Sequence, residues 1–208
     1  MRGRFISIEG GEAVGKSTQI RLLADWLTAQ GKAVTITREP GGTEGAEAIR
    51  TLLLGGGADR WSARSEALLF AAGRADHVER LIRPAVDAGG WVVSDRFVDS
   101  SRAYQGVAGA LGDDAIMALH SFGSQGYLPD CTLLLQLQED EAARRATLRD
   151  GDRPDRIGGR DAAYHAQVSA AFRRFADADP ERFRVIDASG DTDTVHSRIK
   201  AALAPLLS

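Results

Sequence analysis

Five short runs of β-favouring residues alternate with helical patterns along this chain, and that alternation constrains the fold more than any other feature. The runs are mostly apolar throughout, as expected for parallel strands covered by helices on both faces. They lie at residues 4–8, 33–37, 91–95, 131–137 and 183–187. The β-α-β-α order therefore predicts an α/β fold in which a parallel sheet lies between two layers of helices.

The segments between these runs carry the spacing of amphipathic helices. Ile20, Leu23, Ala24 and Leu27 follow the pattern i, i+3, i+4, i+7, and a second helical pattern spans roughly residues 62–88. Near the end of the sequence, apolar residues recur every four positions from Val195 after a segment of capping residues, 191–194. With no repeat or low-complexity linker, we expect residues 1–208 to form one domain.

The formal charge and the cysteine content indicate which binding partners and which cellular location to expect. The formal charge is −3 over 208 residues, with 29 acidic and 26 basic side chains, so no global basic surface for nucleic acid or an anionic membrane is expected. The single cysteine, Cys131, lies in an apolar run and is predicted to be buried and reduced. No apolar run approaches the ~20 residues of a membrane span, so we expect a soluble, cytoplasmic protein.

A phosphate-binding loop follows the first run. Residues 10–17 read Gly-Gly-Glu-Ala-Val-Gly-Lys-Ser, which matches G-x-x-x-x-G-K-[ST] between a strand and a helix, where the motif belongs. Backbone N–H groups and the helix N-terminus would hold ATP phosphates, Lys16 would reach the β- and γ-phosphates, and Ser17 would ligate Mg²⁺. The predicted ATP-binding residues are Gly10, Gly11, Glu12, Ala13, Val14, Gly15, Lys16, Ser17 and Thr18.

Charged residues end two other strands. Asp95 closes the third run and could hold Mg²⁺ through water, although a strand-ending aspartate can also simply cap the next segment. Arg38 follows the second run and Arg96 the third, so both are expected at the carboxyl edge of the sheet. Either arginine alone is commonly a surface ion-pair residue, but together they favour a second phosphate beside the loop.

One predicted helix face combines an aromatic ring with polar groups. Glu66, Phe70, Arg74 and His77 are spaced by four, four and three residues. Phe70 alone would be interpreted as core, but with Arg74 one turn later the face could stack on a planar base and donate a hydrogen bond to it. We interpret His77 as structural.

A charged segment, residues 149–161, interrupts the alternation with four arginines, four aspartates and three glycines. On its own it would be interpreted as a solvated loop.

Taken together, these residues resemble the bacterial thymidylate kinases over essentially the whole chain. The resemblance rests on residues 8–12, 37–43, 66–77, 95–97, 100–106, 129–130 and 155–157. It implies a P-loop NTPase-like fold with a five-stranded parallel sheet and an arginine-rich lid at about 149–161, and it implies a homodimer. The implied reaction is ATP + dTMP → ADP + dTDP, a step in dTTP biosynthesis.

The resemblance also assigns roles in the acceptor site. Phe70 would stack on thymine, Arg74 would bond the base, and Ser101 or Gln105 would lie near it. Arg38 and Arg96 would hold the acceptor phosphate. Glu12 would face the 3′-hydroxyl, and Tyr104 would crowd the 2′ position.

No arginine occupies positions 11–14 of the loop, so the guanidinium that meets the transferring phosphoryl group must come from elsewhere. The resemblance places it in the lid, at Arg153 and Arg156, acting with Lys16 and Arg96. Two alternatives remain open at this point: a kinase for another nucleoside or nucleotide, and a regulatory ATP-binding switch without catalysis. Strictly dTMP-dependent formation of ADP would separate them.

Overall fold

A computed structural model describes residues 2–57, 59–137 and 157–207. Five strands form one sheet in the order β2-β3-β1-β4-β5, and every neighbouring pair is parallel. The strands are β1 Arg4–Glu9, β2 Val34–Arg38, β3 Trp91–Asp95, β4 Cys131–Gln136 and β5 Phe183–Asp187. The predicted parallel α/β sheet is confirmed.

The α-helices of the described residues connect and cover these strands. They are α1 Lys16–Ala29, α2 Glu44–Leu54, α3 Ala63–His77, α4 Arg83–Asp87, α5 Val98–Ser101, α6 Asp113–Ser124, α7 Ala162–Ala178 and α8 Thr192–Leu203. In addition, Val78–Ile82 and Arg102–Ala108 are π-helical, and Ala204–Leu206 is a 3-10 turn. None of the helices in the described residues is both long and apolar enough to cross a bilayer.

The helical pattern predicted over roughly 62–88 is continuous but changes its winding. α3 passes into the π-helical segment, which leads into α4 with Pro84 in its first turn. Proline has no N–H to donate to the preceding turn, so the ladder of hydrogen bonds has to rearrange ahead of it.

Successive side chains of a strand point to opposite faces of the sheet, so apolar side chains pack on both faces. Ile6 packs in the core covered by α1 and α8, with Leu23 and Ile199. Phe5 packs on the opposite face against residues such as Phe97. Each large side chain buried in this way contributes about 1.5–3 kcal/mol.

Two local predictions from the sequence are also confirmed. Cys131 is buried in β4, where removal from water raises the pKa of its thiol to about 11. Asp191 caps α8 by accepting a hydrogen bond from the backbone N–H of Thr194 at 2.8 Å.

Parallel strands place their carboxyl ends along one edge of the sheet, and this edge positions the site. Arg38 at the end of β2 pairs in register with Asp95 at the end of β3. Asp95 in turn pairs with Ile8 of β1, directly before Glu9 and the glycine-rich loop. The two strand-end groups predicted from the sequence therefore lie beside the loop.

Candidate active site

The glycine-rich loop takes backbone conformations that most side chains do not allow. Gly10 has φ 139°, and a Cβ there would lie 2.4 Å from the carbonyl oxygen of Leu135. Gly15 has φ 92° and is followed at once by α1. Among the described residues no side chain caps the first turn of α1, which leaves its first N–H groups available for a phosphate.

Lys16 is folded back over this loop. Its Nζ donates to the carbonyl oxygens of Gly10 at 3.2 Å and Gly11 at 2.6 Å. Loss of hydration, followed by the nearby charge of Arg96, lowers the pKa of Lys16 to about 8. Asp95, Glu12 and Glu9 act in the opposite direction and favour the charged ammonium group, and a bound phosphate would favour it further.

Arg96 joins the loop to the second anion site. Its backbone has φ 70°, which is uncommon for a residue with a side chain and often marks a functional position. One guanidinium nitrogen donates to Gly10 O at 3.1 Å and to Ser100 Oγ at 3.0 Å, and the other donates to Glu12 at 2.8 Å. The side chain thus lies between the two predicted phosphate sites.

Glu9 is a buried carboxylate beneath this junction to which the sequence analysis gave no role. It accepts hydrogen bonds from the backbone N–H of Phe97 at 2.7 Å and from Ser100 Oγ at 2.6 Å. Burial, followed by the neighbouring Asp99 carboxylate, raises the pKa of Glu9 to about 8. The only signal for it in the sequence is an acidic residue at the end of an apolar strand.

Arg74 is buried and held from two sides. Its Nε donates to Glu39 at 2.8 Å, and its Nη2 donates to Ser101 Oγ at 2.8 Å and Phe97 O at 3.5 Å. The partner Glu39 also contacts His77 Nδ1 at 3.1 Å, while His77 Nε2 lies 2.7 Å from Thr37 Oγ1. His77 is thus part of the support of Arg74, in agreement with its structural interpretation.

Arg38 and Asp95 differ from these buried groups. Arg38 is 54% exposed and pairs with Glu47 at 3.0 Å, so its guanidinium could turn to a ligand at small cost. Asp95 has one carboxylate oxygen, Oδ1, that is buried and has no hydrogen-bond partner among the described residues. A buried acceptor without a partner is costly unless a ligand satisfies it.

The predicted groups line one cavity of about 440 Å³. The cavity is lined by the loop residues from Glu12 to Thr18 and by Asp95. It is also lined by the two strand-end arginines and the predicted base-site residues, which are Arg38, Arg96, Phe70, Arg74, Ser101, Tyr104 and Gln105. Gly10 and Gly11 instead line a neighbouring cavity of about 450 Å³ against α7.

Tyr104 closes one wall of the main cavity. Its ring centroid lies 5.1 Å from the guanidinium carbon of Arg96, and its hydroxyl is buried without a hydrogen-bond partner in the described part of the chain. Of the lid arginines, Arg153 and Arg156 lie outside the described residues. Arg160, at the end of that segment, donates to Glu66 of α3 at 3.1 and 3.0 Å.

The glycine-rich loop, the N-terminus of α1 and two arginines therefore line one cavity at the carboxyl edge of a parallel sheet. This combination of fold and site is that of a P-loop phosphotransferase.

The thymidylate kinase family model matches residues 8–199, and the chain belongs to that family, whose members phosphorylate dTMP to dTDP with ATP. A thymidylate kinase of Rhizorhabdus wittichii is 58% identical over 207 residues, covering 100% of both chains. One from Caulobacter vibrioides is 48% identical and covers 95% of this chain and 94% of its own. The crystal structure of thymidylate kinase from Ehrlichia chaffeensis has a TM-score of 0.79 and 28% identity, covering 98% of this chain and 100% of that one.

Proposed function

We propose that this chain performs the family's reaction as a Mg²⁺-dependent transfer within the cavity described above, with ATP phosphates on the loop and dTMP between Arg38, Arg96 and Phe70. The observation that carries this proposal is that the donor groups and the acceptor groups line the same cavity. The product dTDP would serve dTTP synthesis. We also treat residues 1–208 as a single nucleoside-monophosphate-kinase domain, which the single sheet supports.

The site is suited to a magnesium ion carried by ATP. Mg²⁺ prefers oxygen ligands and keeps several waters, so one hydroxyl and one nearby carboxylate are enough to hold it against a nucleotide. Ser17 is the second residue of α1 and lines the cavity, and so does Asp95, whose Oδ1 has no hydrogen-bond partner among the described residues. When bound, the ion would offset the charge of the β- and γ-phosphates.

The acceptor phosphate would be held by two arginines of different character. Arg96 is fixed by the loop and Ser100, whereas Arg38 is free to leave Glu47. Bidentate hydrogen bonds from two guanidinium groups suit a phosphate dianion. Phe70 and Arg74 would receive the thymine base, with Ser101 and Gln105 at its edge. Glu12 would face the 3′-hydroxyl, and the ring of Tyr104 would fill the space of a 2′-hydroxyl.

The chemical step needs alignment and charge neutralisation more than proton transfer. A phosphate oxygen of dTMP, already ionised, would attack the γ-phosphorus of ATP, and the bond from that phosphorus to the bridging oxygen of ADP would break. Lys16 and Arg96 would hold the phosphates in line. Because positions 11–14 of the loop carry no arginine, we assign the remaining guanidinium to Arg153 and Arg156 of the lid.

A cytoplasmic homodimer is also part of the proposal. In its support, α3 and α6 pack against each other, and each exposes a large apolar side chain, with Phe122 92% and Leu68 55% exposed. Exposed apolar surface of this kind is typical of protein interfaces. The cytoplasmic location is supported by the unpaired thiol of Cys131 and by the nucleotide substrates.

A coupled assay of ADP formation tests the proposed function. The purified chain is given ATP and Mg²⁺ with dTMP, dUMP, dCMP, dGMP or AMP in turn. We expect ADP formation to depend on the acceptor and to be fastest with dTMP. ADP formed without an acceptor, or faster with another monophosphate, would refute the proposal.

A further inference from the structure

Glu66 is a buried acidic residue at the base site, and the mechanism above leaves it without a role. It lies on α3 one turn before Phe70 and is 2% exposed. Its carboxylate accepts a hydrogen bond from Gln105 Nε2 at 2.9 Å and two from Arg160 Nη2 at 3.1 and 3.0 Å. A buried carboxylate is costly unless it is paired in this way, so its presence calls for a reason.

The contact with Glu66 fixes which end of the Gln105 amide faces the cavity. An ionised carboxylate can only accept hydrogen bonds, so Gln105 must turn its NH₂ group toward Glu66. The amide oxygen, Oε1, accepts no hydrogen bond from the described residues, and Gln105 lines the cavity. Glu66 therefore leaves an acceptor on the cavity side of Gln105.

Arg74 supplies the complementary group. Its Nε and Nη2 are occupied by Glu39, Ser101 and the carbonyl oxygen of Phe97, while Nη1 donates to none of the described residues. Arg74 lines the same cavity as Gln105. The wall around Phe70 thus combines one fixed donor, Arg74, with one fixed acceptor, Gln105.

Thymine and cytosine differ in this pattern. Thymine presents an acceptor, O4, beside a donor, N3–H, whereas cytosine presents a donor, the N4 amino group, beside an acceptor, N3. We propose that Glu66 is a positioning residue for base selectivity, because it holds the Gln105 amide with its oxygen toward the base, beside the donor of Arg74. This inference rests on the proposed binding of dTMP at Phe70. With cytosine, like groups would face each other at both positions.

The variant Glu66→Gln tests the inference with little change in volume. A glutamine at this position can donate as well as accept, so the Gln105 amide is free to turn and offer its NH₂ to N3 of cytosine. The enzyme receives ATP with dTMP and dCMP mixed at equal concentration, and dTDP and dCDP are quantified by mass spectrometry. The product ratio gives the ratio of the two kcat/KM values directly.

We expect Glu66→Gln to lower the preference for dTMP over dCMP at least about tenfold, because a site that must bond a polar edge discriminates strongly by leaving the wrong one unpaired. The preference should fall because dTDP formation drops while dCDP formation holds or rises. A preference within about threefold of the unmutated enzyme would overturn the inference, as would an equal loss for both substrates. Failure of the unmutated enzyme to use dTMP would instead refute the proposed function.

Two further variants serve as controls for this test. Glu79→Gln removes an exposed carboxylate outside the cavity and should leave the preference unchanged. Gln105→Met removes the amide, so it should lower the preference by a similar factor, and adding Glu66→Gln to it should have no further effect on the preference. If the two effects multiplied instead, Glu66 would act independently of Gln105 and the inference would be wrong. An unchanged preference in Gln105→Met would contradict the inference even if Glu66→Gln failed to fold.

Discussion

We call the part of the cavity proposed to bind ATP the donor half and the part proposed to bind dTMP the acceptor half. The two halves are built from different kinds of chemical group. The donor half is mostly backbone: a loop with residues at positive φ, the N-terminus of α1, and one lysine that bonds to loop carbonyls. The acceptor half is mostly side chains, from Arg38, Phe70, Arg74 and Gln105, which come from three separate segments. Arg96 contacts both halves, through the carbonyl of Gly10 and the hydroxyl of Ser100.

The two halves accordingly achieve specificity in different ways. Backbone N–H groups recognise any phosphate, so the donor half suits the part that all nucleoside triphosphates share. The acceptor half is proposed to recognise one base, and two of its polar groups are held by buried carboxylates. Glu39 holds Arg74, and Glu66 holds Gln105. Substitutions in one half should affect one ligand much more than the other.

The largest effect is expected for Lys16→Ala. Removal of a preorganised cation from the phosphate site should lower kcat about 10³-fold. The fold should persist, because the conformation of the loop depends on its glycines. Steady-state assays with a thermal melt check both points, and Arg21→Ala on an exposed face of the same helix is the control. Turnover close to that of the control would refute the role of Lys16.

The lid arginines should come next. Arg153→Ala/Arg156→Ala is expected to lower kcat at least about 100-fold, with little change in either KM, because guanidinium groups of this kind act mainly in the transition state. Stability should change little. If kcat held within about threefold while the KM for ATP rose, these arginines would serve ground-state binding, and Arg149 and Arg160 would become the candidates for the same measurement.

For the acceptor half, Phe70→Ala should weaken dTMP binding about tenfold, since stacking on an aromatic ring contributes ~1–3 kcal/mol per base. ATP affinity should hardly change. The control is Arg64→Ala, at an exposed position of the same helix. An unchanged dTMP affinity in Phe70→Ala would show that the base lies elsewhere.

A separate effect, on stability and not on turnover or binding, concerns Glu9, between the two halves. Its pKa is raised to about 8 in the folded state, chiefly by burial. A raised carboxyl pKa means that the folded state binds the proton more tightly than the unfolded chain does. The stabilisation is complete below the unfolded pKa and is lost as pH rises through about 8.

Urea unfolding from pH 5.5 to 8.5 should therefore show the unmutated chain losing stability relative to Glu9→Gln, by roughly 1 kcal/mol per pH unit. Above the folded pKa the difference should level off. Parallel pH profiles for the two proteins would mean that Glu9 does not titrate in this range.

The glycine-rich loop could be predicted from the sequence because its signal is local. The motif at residues 10–17 lies in one stretch, and its glycines directly reflect the positive φ angles that the loop requires. The parallel sheet could also be predicted from the sequence, since apolar runs of strand length are typical of strands covered on both faces.

The carboxylates that orient Gln105 and Arg74 could not be predicted from the sequence in the same way. Glu66 is 39 residues from Gln105, and Glu39 is 35 residues from Arg74, so no spacing in the sequence connects them. The face formed by Glu66, Phe70, Arg74 and His77 was recognised, but the partners that orient its polar members come from other segments. The sequence could thus predict that Phe70, Arg74 and Gln105 would lie together, but not how their hydrogen-bonding groups would be oriented.

Titration calorimetry of both ligands on both variants tests the division into two halves most directly. A non-hydrolysable ATP analogue and dTMP are each titrated into Lys16→Ala and Phe70→Ala. We expect Lys16→Ala to weaken the ATP analogue at least about tenfold and leave dTMP within about twofold, and Phe70→Ala to do the reverse. A single substitution that weakened both ligands by the same factor would contradict the account, because donor and acceptor recognition would then form one site.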